Sequence, residues 1–113
     1  MPPEDLPLPP ATFFILFALA GGEKHGYAIM QEARRLSDDT VKIGPATLYT
    51  TIQRLLTAKL ISEVPGPESS DSRRRYYSLT ASGKSALRAD LARMEAIVRK
   101  SKAIRLRPAE RGI

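Results

Sequence analysis

The sequence predicts a mainly α-helical fold with one small β-hairpin. The plan is three helices, two strands and a long last helix: a winged helix-turn-helix extended by a C-terminal dimerisation helix. Three observations lead there. Apolar residues recur at helical spacing over residues 25–36, 45–59 and 81–104, and residues 11–20 are apolar nearly throughout. Two short strand-like runs, LISEV at 60–64 and RRRYYSLT at 73–80, flank the loop-forming PGPESSDS at 65–72. Helix-start residues stand at the right places, with Pro45 after Gly44 and Thr80 ahead of Ala81.

Residues 1–10 hold prolines at 2, 3, 7, 9 and 10 and read as an extended arm. ATFFILFALA, residues 11–20, reads as a helix that is apolar on nearly every side, so it is expected to be buried on more than one. A small domain has little interior, and the second buried side is expected to face another subunit. Gly21 and Gly22 stop this helix. HGYAIMQEARRL, residues 25–36, reads as an amphipathic helix. Tyr27, Ile29, Met30, Ala33 and Leu36 should lie inward, and Gln31, Glu32, Arg34 and Arg35 outward. A linker with a short extended piece at 41–43 leads to the third helix, residues 45–59. The last helix, about 81–104, repeats Leu87, Leu91, Met94, Val98 and Ser101 at spacings of four and three. At 1.5 Å per residue it is roughly 35 Å long, more than a core of this size covers, so a partner helix should cover the rest. Residues 105–113 read as a frayed basic tail. The expected organisation is therefore an arm (1–10), a winged helix-turn-helix (11–80), a dimerisation helix (81–104) and a tail (105–113).

Composition narrows the function. The chain of 113 residues suits one domain with one core. It has no cysteine, which removes disulfides and thiolate metal sites and fits a reducing, cytoplasmic setting. The run at 11–20 is too short for a bilayer, which needs about 20 residues. The residues before it carry Glu4 and Asp5 and no Lys or Arg, unlike a secretory leader. No membrane partner is expected. The formal charge of +6 falls entirely on residues 61–113, which hold twelve Lys/Arg and six Asp/Glu. That asymmetry suits a polyanionic partner, and equally a solvated basic tail.

The third helix, GPATLYTTIQRL at its start, carries the most specific chemistry. At about 100° per residue, Leu48, Ile52, Leu55 and Leu56 share one side. Thr47, Thr50, Arg54 and Thr57 take the opposite side, Gln53 flanks them and Tyr49 lies on the border. No carboxylate occurs from Ile43 to Ser62. Hydroxyls, an amide and a guanidinium can read base edges in a major groove, where a carboxylate would be repelled by phosphates. An ordinary solvated helix face mixes Glu with Lys and avoids threonine, a poor helix former. In the hairpin, alternation puts Arg75, Tyr77 and Leu79 on one face and Arg74, Tyr76 and Ser78 on the other. With Leu79 inward, Tyr77 joins the core and Arg74 and Tyr76 are free to meet a sugar-phosphate backbone. The cluster Arg73, Arg74 and Arg75 on the wing suits contact with backbone or minor groove, against a merely solvated charge run.

His25 is the only histidine. Beside a glycine at a helix start, it suits a local hydrogen-bonding or packing role. No second histidine or cysteine can share a metal with it. No nucleophile with base and orienter, no phosphate-cradling loop and no carboxylate pair is present. No enzyme activity, cofactor or metal is expected.

At FFILFALAGGEKHGYAIMQEA, IGPATLYTTIQRLLTAKLIS and SRRRYYSLTASGKSAL the chain resembles the PadR family of bacterial transcriptional regulators over about residues 11–90. The resemblance implies a homodimeric winged-helix repressor with the third helix in the major groove of double-stranded DNA. It implies DNA contacts at Thr47, Tyr49, Thr50 and the wing arginines, Tyr49 on a phosphate. The single C-terminal helix is similar to the short branch of the family, in which the last helix packs with the partner's first helix. Short members that bind planar aromatic drugs use a tryptophan in the dimer cavity, and this chain has none. Phe13, Phe14 and Phe17 suit either core packing or an apolar intersubunit cavity for a small effector. With Leu87, Leu91, Met94 and Val98 they form the expected dimer interface. The competing reading is a winged-helix protein-interaction module, which would need an exposed apolar patch on the third helix instead.

Overall fold

The computed structural model of the chain describes residues 6–67, 73–104 and 106. The order is α1 (Pro10–Ala20), β1 (Lys24–His25), α2 (Gly26–Leu36), α3 (Pro45–Thr57), β2 (Ile61–Val64), β3 (Tyr76–Leu79) and α4 (Ala81–Ala103). This is the mainly helical winged fold the sequence predicts. The far end of the hairpin loop (68–72), the start of the arm (1–5) and all of the tail except Leu106 lie outside the described residues.

Several expectations about elements need correction, among them the returning strand, which begins at Tyr76 and not at Arg73. α3 ends at Thr57, not Lys59, because Lys59 takes a left-handed conformation (φ 62°). Lys59 N–H then bonds the Leu56 carbonyl and Leu60 N–H the Leu55 carbonyl, both at 3.0 Å. This is a Schellman ending that turns the chain straight into β2. The expected extended piece at 41–43 joins no strand. The strand that completes the sheet is instead β1, and the sheet order is β1-β3-β2, antiparallel throughout. β3 is central: Tyr77 stands opposite Lys24 on one side and Glu63 on the other.

α1 packs against α2, α3, α4 and β3, so its all-round apolar character has a use within one chain. Ile15 and Leu16 are fully buried, as are Ile29 of α2, Leu48 and Leu55 of α3 and Leu60. Burial of each such side chain stabilises by about 2 kcal/mol. Leu8 of the arm is buried too, and its N–H donates to Asp90 Oδ2 of α4 at 3.2 Å.

Thr80 joins two elements. Its hydroxyl accepts from Gly83 N–H at 3.0 Å, capping α4, and donates to the Lys59 carbonyl at 2.7 Å. There α4 passes so close to the chain that a methyl on Gly83 would overlap the Leu60 carbonyl oxygen. The first part of α4 buries Ala86, Leu87 and Asp90. Beyond Met94 the helix leaves the core, exposing Ile97 and Val98. The molecule is accordingly elongated, 56 × 34 × 23 Å.

Candidate nucleic-acid interface

The outer face of α3 is built by its inner face. Leu48, Thr51, Ile52 and Leu55 are buried, and their helical spacing leaves Thr47, Thr50, Gln53 and Arg54 in solvent. Thr47, Thr50 and Arg54 line one shallow groove with Ala46 and Thr51. Tyr49 is 54% exposed at the border of this face and leans toward the start of α2. Its hydroxyl rests over Gly26, where an added methyl carbon would lie 2.7 Å from the oxygen.

A cleft of about 390 Å³ opens where α2 begins, α3 passes and the wing returns. His25, Tyr27, Tyr49 and Arg73 to Arg75 contribute to its walls, and among the described residues none that lines it is acidic. The three arginines are exposed. Tyr76 is half-buried, its ring edge-on to His25 at 5.4 Å. Tyr77 is buried, as alternation required, and burial followed by the nearby Glu63 carboxylate pushes its hydroxyl pKa up. Arg75 donates to both Glu63 oxygens, at 3.2 and 3.1 Å, across the β2–β3 pair.

His25 caps α2. Its Nδ1 accepts from Ala28 N–H at 3.3 Å, the local role its position suggests. Its Nε2 faces Arg74 Nη1, also at 3.3 Å. Burial first, and then the Arg74 charge, hold its pKa below the ordinary histidine value. Tyr27, expected inward, is 61% exposed on the rim of the cleft. It stands on the first turn of α2, where helical spacing still points toward Met30 but the core has already ended.

The candidate subunit-contact residues divide into two groups. Phe13 and Leu87 are buried within the single chain, so the monomer already covers them. Phe14, Phe17, Leu91 and Met94 are half-buried, and Val98 is 53% exposed. The Phe13 ring meets Phe14 edge-on at 5.0 Å and Phe17 at 5.6 Å, one aromatic cluster on α1. Ala20, Leu79, Leu87 and Leu91 line a mainly apolar groove of about 260 Å³ beside α4. Among the described residues no group of three His, Cys, Asp or Glu could hold a metal, and no helix is long and apolar enough to cross a membrane.

The fold and this basic, hydroxyl-rich face define a winged helix-turn-helix protein. The chain matches the family described as transcriptional regulator PadR-like over residues 15–89, and it belongs to that family. An uncharacterized protein of Lysinibacillus sphaericus is 34% identical over 73 residues, 65% of this chain and 67% of that one. A transcriptional regulator from Clostridium thermocellum superposes with a TM-score of 0.66 at 27% identity, over 86% of this chain and 90% of that one. Bacillus subtilis PadR, solved in complex with operator DNA, superposes with a TM-score of 0.58 at 20% identity, over 90% of this chain and 51% of that one.

Proposed function

We propose that this protein is a sequence-specific DNA-binding repressor of transcription, acting in the cytoplasm as a homodimer on a palindromic operator. α3 enters the major groove and presents Thr47, Thr50, Gln53 and Arg54 to base edges. Tyr49, Arg73, Arg74, Arg75 and Tyr76 meet the sugar-phosphate backbone from the cleft and the wing. Phe14, Phe17, Leu91, Met94 and Val98 meet a second copy. The apolar groove beside α4 is where a small apolar effector would sit. No catalytic role is assigned.

The observation that carries this reading is the α3 face, carboxylate-free and exposed, with the wing arginines gathered at its border across one cleft. The operator complex of Bacillus subtilis PadR makes double-stranded DNA the first ligand to test. The test is Arg54→Ala, measured on a selected operator and on random duplex. Discrimination between the two should fall by about tenfold or more, the cost of losing one bidentate base contact. An equal loss on both duplexes would assign Arg54 to phosphate and remove it from sequence reading.

A further inference from the structure

We propose that His25 is itself a DNA-backbone contact: with Arg74 it forms a two-donor seat for one phosphate oxygen. The inference rests on the DNA-binding reading above and adds to it a residue and a hydrogen-bonding mechanism.

Two N–H donors point at one imidazole. Ala28 N–H points at Nδ1 and Arg74 Nη1 at Nε2, each at 3.3 Å. A neutral imidazole has one lone pair and one N–H, so it can accept one of these bonds and not both. A protonated ring can accept neither, and burial together with the Arg74 charge disfavours that form. In the protein alone, one of the two donors always lacks His25 as its acceptor.

The two donors differ in what else can serve them. Ala28 N–H is one of the first-turn amides of α2, which have no partner within the helix and need a cap. When Nδ1 caps it, the proton must sit on Nε2. Nε2–H and the Arg74 guanidinium then face each other as two donors with no acceptor between them. A phosphate oxygen placed there accepts from both, at about 2.8 Å each. One ligand atom thus makes all three bonds compatible: Ala28 to Nδ1, Nε2 to phosphate, and Arg74 to phosphate. A carboxylate of the chain could do the same, but among the described residues none that lines the cleft is acidic. The seat adjoins Tyr49 at the border of the α3 face, beside the path of a duplex docked on α3.

Two substitutions separate the two ring nitrogens. His25→Asn keeps an acceptor near Nδ1, and asparagine is a good cap, but it removes the Nε2 donor. His25→Gln reaches the Nε2 position with an N–H and loses the cap. On a labelled random duplex at about 50 mM salt, His25→Asn should weaken binding about tenfold with an unchanged melting temperature. His25→Gln should retain most of the affinity and melt lower. Arg74→Ala should weaken binding and flatten the salt slope by about 0.9 per phosphate released. The double variant His25→Asn/Arg74→Ala should lose less than the product of the two single losses, because both residues hold one oxygen. As His25 is the only histidine, its ring nitrogens give a single set of ¹⁵N signals. Those signals should report the Nε2–H tautomer in the complex with duplex. Binding by His25→Asn within twofold of wild type, or a ring carrying its proton on Nδ1 in the complex, would overturn the proposal and leave the DNA-binding reading standing. A wild-type protein that binds no duplex would overturn both.

Discussion

The Tyr49 hydroxyl occupies the space that a side chain at position 26 would fill. A methyl carbon on Gly26 would lie 2.7 Å from that oxygen, 3.2 Å from the ring carbon bearing it and 3.3 Å from Leu48 Cδ2. The bare α-carbon of Gly26 therefore lets α3 set a half-exposed tyrosine against the first turn of α2.

Gly26→Ala should displace Tyr49, since the end of a side chain yields more readily than backbone. The gain in helix propensity at this first position of α2, smaller than the interior value of about 1 kcal/mol, should offset part of the strain. The variant is expected to melt near the wild-type temperature and to bind duplex DNA several-fold more weakly on any sequence. Titration of a fluorescent duplex checks this, and unchanged affinity would take Tyr49 out of the interface.

Gly83→Ala is expected to act in the opposite way, on stability first. Its methyl would meet backbone, the Leu60 carbonyl oxygen, as well as Leu79 Cδ2 at 3.1 Å. Neither α4 nor the start of β2 can move without disturbing the Thr80 cap that joins them. A loss of about 3 kcal/mol, on the order of 15 °C in melting temperature, is expected by calorimetry.

Asp90 is fully buried, with Arg93 Nε at 2.6 Å and Leu8 N–H at 3.2 Å. Asp90→Ala should cost about 2 kcal/mol, since it strands the Leu8 amide against an apolar wall while Arg93 can turn toward water. Asp90→Asn, which still offers Leu8 an acceptor, should cost about half as much. Urea unfolding of the two variants gives the ordering, and equal losses would show that the arm does not depend on this bond.

Val98→Asp tests the subunit contact without touching the core, because Val98 is exposed in the single chain while Leu87 is not. Met94→Lys is the second test, at a half-buried position. Both should give folded monomers in sedimentation equilibrium and lose operator binding together. A folded monomer that still bound tightly would contradict the dimer mechanism.

What the sequence made legible was local. Pro45, Thr80 and the apolar stripes mark α3 and α4 because caps and 3.6-residue spacing act within one segment. Tyr77 was legible through alternation with Leu79. β1 was not, since Lys24 and His25 carry no strand pattern and are extended by their pairing with Tyr76 and Tyr77, fifty residues away. Arg73 to Arg75 read as strand, yet β3 begins at Tyr76, where Val64 ends the pairing on β2. The exposed Tyr27 and the contact of His25 with Arg74 were hidden for the same reason. Their cleft exists only once the start of α2, the border of α3 and the wing come together.

Selection from a random duplex library at about 150 mM salt, where non-specific binding is weak, tests the central claim most directly. Two copies of α3 set about one helical turn apart, roughly 34 Å, should enrich a two-fold palindrome. A folded, dimeric protein that enriches no sequence would show that the outer face of α3 does not read bases.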